Sequence, residues 1–393
     1  MHRYLERGVT MGVVRALSEY PVVALLGPRQ CGKSTLAKKL LSRRNRVAYL
    51  DLERPSDLAK LQDAESYFET NSGALICLDE VQRSPEIFPV IRSICDRRGK
   101  PGQFLILGSA SRDLLRQTSE SLAGRVAFLE LTPFLIREVE DTDAALKRLW
   151  LRGGFPKSFQ SGREAGSFEW RLNFIKTFLE RDVPALAPGL SATSIGRLWS
   201  MCAHLHGQSL NYSGLAAAMG VSDNTIRNWL ELLSGAFAVK LLPPFAANLG
   251  KRMVKAPKLY IRDSGILHAL LSIESMEELH GHPAYGASWE SFALENVLAR
   301  IRPGIKASFY RDSNGSEIDL VLEKGHKRLA VEFKAGTAPT LARPFLNAIE
   351  TLGNPKAIVV SRAAESFPVS KGIVAMPLRK MLESAEASDF LVG

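Results

Sequence analysis

Val22-Val-Ala-Leu-Leu-Gly27-Pro-Arg-Gln-Cys-Gly32-Lys33-Ser34-Thr35-Leu-Ala-Lys-Lys-Leu-Leu41 is the stretch that decides the fold. Five β-prone apolar residues end in a loop bounded by glycines, and the loop opens directly into a helix-period run. The loop satisfies G-x-x-x-x-G-K-[ST], and a strand before it with a helix after it is the context that gives this spacing meaning. Its glycines let backbone N–H groups curl round phosphate oxygens, and the helix N-terminus adds the positive end of its dipole. Gly27, Pro28, Arg29, Gln30, Cys31, Gly32, Lys33, Ser34 and Thr35 are therefore expected to cradle ATP. Lys33 would lie against the β- and γ-phosphates and Ser34 on Mg²⁺.

Outward from this loop, short β-rich runs (VAYLDL, ALICLDE, FLILGSA, VAFLEL) alternate with helical stretches as far as about Leu131. That is the rhythm of a parallel α/β sheet, which places ligands at the carboxyl ends of its strands. The run Ala74–Leu78 ends in Asp79-Glu80. The first acid is expected in the Mg²⁺ shell and the second to orient the attacking water, two being needed because one is committed to the metal. Ser109 ends the next strand beside the expected γ-phosphate, as a contact to it or as a plain turn serine. Arg125 is a candidate arginine finger acting in its own or a neighbouring subunit, with Arg112 as rival.

A chain of 393 residues exceeds one hydrophobic core, so two to four domains are expected. Cys31, Cys77, Cys95 and Cys202 have no metal-ligand spacing, and the start lacks a signal-type apolar stretch. A reducing cytoplasm is expected, and no apolar run is long enough for a membrane span. Lys and Arg exceed Asp and Glu by 51 to 41, a net charge of +10 that favours a polyanionic partner. The basic residues cluster at 38–46, 97–100 and 251–258.

Gly27–Ser34, Leu78-Asp79-Glu80, Gly108-Ser109, Leu122–Arg125, Gly153-Gly-Phe-Pro156, Glu180-Arg-Asp182 and Lys258–Gly265 occur in this order along the chain. Together they resemble a prokaryotic family of AAA-type P-loop ATPases fused to a C-terminal domain of uncharacterised function. The resemblance implies an α/β chain of four parts: an AAA+ parallel-sheet ATPase domain (1–136), a helical lid (137–188), a winged helix-turn-helix (189–265) and a domain like the PD-(D/E)xK restriction endonucleases (266–393). By analogy with AAA+ proteins it also implies a homo-oligomer.

Independently of the family, Tyr212–Met219 reads as a short helix, Gly220 as its stop and Ser222 as the N-cap of a second helix running to Leu233. Ile226, Trp229, Leu230 and Leu233 form its buried stripe, leaving Asn224, Thr225, Arg227 and Asn228 facing outward as in a recognition helix. Lys251, Arg252, Lys255 and Lys258 follow where a wing would contact phosphates. Duplex or branched DNA is the expected partner, since no aromatic platform for single strands is visible; the rival reading is a protein-contact module.

In the segment 317–334, a turn centred between Gly325 and His326 sets Asp319 opposite Glu332. Period-two alternation then groups Asp319, Glu332 and Lys334 on one face and Ile318, Leu320, Val331 and Phe333 on the other. Opposed carboxylates call for a cation, and Mg²⁺ or Mn²⁺ suits two oxygen ligands plus waters. A metal there would activate water at a scissile phosphate, with Lys334 assisting. This D…E-x-K pattern matches the nuclease-like fold of the resembled family, whose additional acid corresponds to Glu290. Two readings stay open beside DNA cleavage: a non-cutting C-terminal binding module, and an ATP-dependent regulatory switch that recruits a protein. The seven histidines lack metal spacing, and Trp150, Trp170, Trp199 and Trp289 are expected as core anchors.

Overall fold

The structure, a computed structural model, describes residues 4–109, 120–245 and 254–392. It divides into two compact units: Met1–Val139 with Gly154–Pro156 and Glu231–Ala238, and Glu140–Gly153 with Lys157–Leu230 and Val239–Gly393.

The first unit holds five strands, β1 (Val22–Leu26), β2 (Val47–Asp51), β3 (Leu75–Asp79), β4 (Phe104–Gly108) and β5 (Val126–Glu130). All pairings are parallel and the order is β2-β3-β4-β1-β5. Every residue of β1, β3 and β4 is buried, as expected when helices cover both faces of a parallel sheet. Val22, Ala24 and Leu26 join the core beneath the helices Ala64–Thr70 and Ile87–Arg98, whereas Val23 and Leu25 meet Leu36, Ala37 and Leu40 of the helix Lys33–Leu41. Because the strands run the same way, Leu26, Asp79 and Gly108 end on one edge of the sheet.

The second unit begins with the helices Asp143–Arg152 and Glu164–Thr177, the latter continued by a π-helical turn at Phe178–Asp182. After the helix Ala192–His204 come Tyr212–Met219 and Asp223–Gly235, whose residues from Glu231 on are assigned to the first unit, then β6 (Val239–Leu242) paired antiparallel with β7 (Lys258–Ile261). Asn211 caps the first helix of the pair through the Gly214 N–H, and the Thr225 N–H bonds to Ser222 Oγ at 3.1 Å, the N-cap expected from the sequence.

Two of the quoted motifs pack on each other. A Cβ on Gly265 would stand 2.1 Å from the Arg152 carbonyl oxygen, and one on Gly153 would stand 2.0 Å from Asp263 Oδ1, so neither position has room for a side chain. Asp263 caps the helix Ser264–Leu270 by accepting from Ile266 N–H. His268 on that helix is fully buried. Its Nδ1 lies 2.9 Å from the Leu151 carbonyl oxygen, which can only accept, so Nδ1 carries the proton and Nε2 accepts from Ser288 Oγ at 2.7 Å. Ser288 in turn accepts from Trp150 Nε1. Burial pushes the His268 and His206 imidazoles down to about 3. Trp150, Trp199 and Trp289 are core residues, whereas Trp170 is half-buried.

The helix Tyr285–Leu298 precedes a six-stranded mixed sheet, β8 (Lys306–Arg311), β9 (Glu317–Lys324), β10 (Lys327–Lys334), β11 (Lys356–Ser361), β12 (Phe367–Ser370) and β13 (Ile373–Pro377), in the order β12-β13-β11-β10-β9-β8. Leu322 pairs with Leu329 and Leu320 with Val331, the register expected for the acidic hairpin. The strict alternation expected along it fails. Ser308 pairs with Val321 but Tyr310 with Ile318, so β9 carries one residue more than β8 over this stretch. Ile318 consequently shares a core with Val321 and Ala330 rather than with the Leu320 side. Among the described residues, no helix is long and apolar enough to cross a membrane.

Candidate nucleotide site and C-terminal acid cluster

The loop after β1 sits at the carboxyl edge of the first sheet. A Cβ on Gly27 would fall 2.1 Å from the Leu131 carbonyl oxygen, so this position admits only glycine. Gln30 takes a left-handed conformation with φ of 61°, unusual for a residue with a side chain, and turns the loop toward the helix. The helix N-terminus has no side-chain cap and no acid in its first turn, leaving its N–H donors for an anion. Lys33 is buried, and its ammonium donates to the carbonyls of Gly27 and Pro28, both at 2.9 Å. A buried cation whose partners among the described residues are carbonyls, beside an uncapped helix, fits a phosphate chain. Ser34 is half-buried and Thr35 exposed. Cys31 turns inward, donating to the Leu131 carbonyl, and burial raises its thiol.

Behind the loop stands Arg7, which nothing in the sequence singled out. It donates to the carbonyls of Cys31 (2.9 Å) and Thr132 (2.6 Å) and pairs with the buried Glu138 at 3.2 Å. The phosphate loop is thereby tied to the strand exit after β5.

Asp79 and Glu80 end β3 on the same edge. Asp79 is buried and accepts from the Tyr49 hydroxyl. Burial raises the Tyr49 phenol, the Asp79 bond adds to this, and a hydrogen bond with Ser34 opposes it. Tyr49 therefore joins the loop serine to the strand-end acid, the pair that could hold Mg²⁺ between them. Glu80 adopts a left-handed φ of 57° and accepts from Gln82, whose amide also reaches Ser109 Oγ at 3.1 Å. Arg29 approaches Glu80 at 3.9 Å. Tyr49 carries no sequence signal, because only the pairing of β2 with β3 brings it to this edge, whereas Gln82 reaches Glu80 from the turn Val81–Arg83 that follows it directly.

Arg125 lies elsewhere. Its carbonyl accepts from Val22 N–H at the start of β1, and its guanidinium pairs with Asp96. The phosphate loop leaves the opposite end of that five-residue strand, roughly 16 Å away at 3.3 Å per residue. A finger acting within its own subunit is thus corrected; Arg112 lies outside the described residues.

Along the helix Asp223–Gly235, Asn224, Arg227 and Asn228 are exposed and Thr225 half-buried, while Ile226, Leu230 and Leu233 are buried. The Arg227 guanidinium stacks 3.8 Å from the centre of the Tyr212 ring. Lys255 is exposed, and Lys251 and Arg252 lie outside the described residues. Lys258, expected at a wing surface, is buried instead.

Its burial changes the reading of the acidic hairpin. The Lys258 ammonium reaches Glu317 Oε1 at 2.6 Å, Asp319 Oδ1 at 3.2 Å and Glu290 Oε1 at 3.3 Å. Burial alone would lower this ammonium, but the carboxylates outweigh it and hold it charged. Asp319 also accepts from Phe333 N–H, and Tyr260 donates to Glu290. Glu332 is buried with Lys334 on Oε1 at 2.7 Å, and among the described residues its Oε2 has no hydrogen-bond partner. Burial, then Asp319, pushes Glu290 up to about 7 and Glu332 up to about 8. Asp319, Glu332 and Glu290 were expected to gather round Mg²⁺ or Mn²⁺. Among the described residues no group of three or more His, Cys, Asp or Glu side chains is arranged to hold a metal ion. A lysine stands where that cation was expected.

Comparison with known families agrees with the geometry of the first unit. Residues 19–140 match an AAA domain, so the chain carries an AAA-type P-loop domain. Residues 143–277 and 285–381 match two domains of unknown function, DUF8612 and DUF4143. The uncharacterized proteins Rv2008c of Mycobacterium tuberculosis and Mb2031c of Mycobacterium bovis are each 40% identical over 377 residues, 96% of this chain and 84% of theirs. The chain belongs to the family of these mycobacterial proteins. Among solved structures, the Walker-type ATPase PABY2304 of Pyrococcus abyssi aligns with 68% of this chain and 96% of its own, at 14% identity and a TM-score of 0.49.

Proposed function

We propose that this chain hydrolyses ATP with Mg²⁺ and that its nucleotide state governs a DNA-contacting module. The observation that carries the reading is the convergence of Lys33, the uncapped helix N-terminus, Ser34 and the Asp79-Glu80 pair on one edge of a parallel sheet. Lys33 would leave the loop carbonyls for the β- and γ-phosphates, and Ser34 and Asp79 would release Tyr49 to hold Mg²⁺. That ion, when bound, would offset charge on the phosphates. Glu80, freed from Gln82, would orient and deprotonate the attacking water, with Ser109 beside the γ-phosphate. Arg125, facing the far edge, is suited to reach the site of another copy, which supports a homo-oligomer.

The exposed Asn224, Arg227, Asn228 and Lys255, with the net charge of +10, favour duplex or branched DNA over a protein surface. Two helices followed by a two-stranded ribbon support the winged-helix reading. The ammonium inside the acid cluster favours a C-terminal domain that does not cut.

The test is ATP hydrolysis with Mg²⁺, alone and with single-stranded, duplex and four-way DNA, following the DNA on a gel. Stimulation by duplex or branched DNA with the DNA left intact is expected. Lys33→Ala should abolish nucleotide binding, and Glu80→Gln should retain ATP while slowing turnover by about 100-fold or more. Normal turnover in either variant refutes the ATP site. A rate indifferent to every nucleic acid moves the reading to a protein-recruiting switch.

A further inference from the structure

We infer that Lys258 is a tethered counter-ion that occupies the cation position of the C-terminal acid cluster and keeps divalent metal out. Three carboxylate oxygens, from Glu317, Asp319 and Glu290, lie 2.6 to 3.3 Å from its Nζ. They come from two elements, β9 and the helix Tyr285–Leu298, and the lysine enters from a third, β7. Converging carboxylates from separate elements around one point resemble the shell of a hard cation; oxygens drawn in to about 2.3–2.6 Å would suit Ca²⁺, and a slightly closer approach would suit Mn²⁺. The ammonium cannot serve as a Lewis acid or bind water as a nucleophile, so the cluster is inert while it is there.

A second observation points the same way. Glu332 is more than nine-tenths buried, and among the described residues its Oε2 has no hydrogen-bond partner. A buried carboxylate oxygen beside Asp319 is left over once Lys258 and Lys334 have made their bonds. The tether is also fixed by the fold: β7 is held by pairing with β6, and the Lys258 ammonium lies 5.6 Å from the centre of the Phe309 ring on β8. The lysine is seated by backbone pairing rather than by a mobile loop.

This inference deepens the non-cutting part of the proposed function and is independent of ATP hydrolysis and DNA contact. It is tested on the full chain without nucleotide, in a Lys33→Ala background so that the phosphate loop cannot contribute. Mn²⁺ is titrated and the free ion read by electron paramagnetic resonance. The chain with Lys258 should take up only weakly held Mn²⁺. Lys258→Met should bind one Mn²⁺ at least 10-fold more tightly, and adding Asp319→Asn should abolish the gain. A folded Lys258→Met chain with no gain in Mn²⁺ affinity overturns the inference, as does tight binding by the lysine-containing chain that Asp319→Asn removes. Should Lys258→Met fail to fold alone, the carboxylates it strands require that Mn²⁺, and not Na⁺, restores the melting transition; failure to restore it also overturns the inference.

Discussion

Replacing Arg7 with methionine removes the tie between the phosphate loop and the strand exit at Thr132 while keeping an apolar stem in place. Arg7 and Glu138 are both buried, with 3% and 6% of their side chains exposed, so losing one strands the other. Breaking such a pair costs about 3–5 kcal/mol. Glu138 keeps hydrogen bonds from Gly8 N–H and Leu135 N–H, which places the loss near the lower end. The carbonyls of Cys31 and Thr132 lose their donor as well, adding about 1 kcal/mol each. The melting transition of the first unit should therefore fall by on the order of 10 °C. Nucleotide affinity should also weaken, by about 10-fold if 1.4 kcal/mol of loop ordering is lost. Differential scanning fluorimetry and a fluorescent nucleotide titration read the two effects. Adding Glu138→Gln to Arg7→Met should recover part of the stability, because it removes the stranded charge. A shift below about 2 °C with unchanged affinity would refute the buried tie, since surface changes give effects of that size.

Arg125→Ala should bind ATP normally and hydrolyse it poorly, and mixing it with Lys33→Ala copies should restore turnover, because each copy supplies what the other lacks; full activity of Arg125→Ala alone would remove the trans role. Arg227→Ala should weaken DNA binding across sequences and reduce the slope of affinity against salt by about one, and an unchanged slope would take the Tyr212-stacked guanidinium out of the interface. His206 and His268, pushed down to about 3, should stay neutral between pH 5 and 8, so a nitrogen resonance of either ring shifting near pH 6.5 would contradict their burial. Their stabilising contribution is full above the unfolded value of about 6.5 and is lost as pH falls toward 3, at about 1.4 kcal/mol per pH unit for each. Glu332, raised to about 8, works in the opposite sense, stabilising below about 4.5 and losing that contribution as pH rises through 8, so the ring resonances isolate the histidines better than a melt.

Local pattern was enough for the phosphate loop, because a glycine loop between a strand and a helix is specified by neighbours in sequence. The apolar runs mark where the strands of the first sheet lie, and Asp79 closes β3 with Glu80 directly after it. The same holds for the Ser222 cap and the hairpin register, both set by residues a few positions apart. What the chain does not reveal alone is which distant side chains arrive at those places. Tyr49 reaches Asp79 only because β2 pairs with β3, and Arg7 reaches Cys31 only through the fold of the first unit. Arg125 reads as a finger beside its motif, yet parallel pairing puts it at the other end of β1.

The acid cluster gives the sharpest division. Asp319 and Glu332 face each other by hairpin arithmetic, and from charge alone a metal is the natural answer. Lys258 lies 61 residues before Asp319 in a basic run that reads as a wing facing DNA phosphates, and only the pairing of β6 with β7 carries it into the interior. Its cost of burial is met by the buried Asp319 and the half-buried Glu290 and Glu317, a mutual arrangement with no local signature. Sequence determined the presence of the acids; tertiary structure decided that their cation is a lysine.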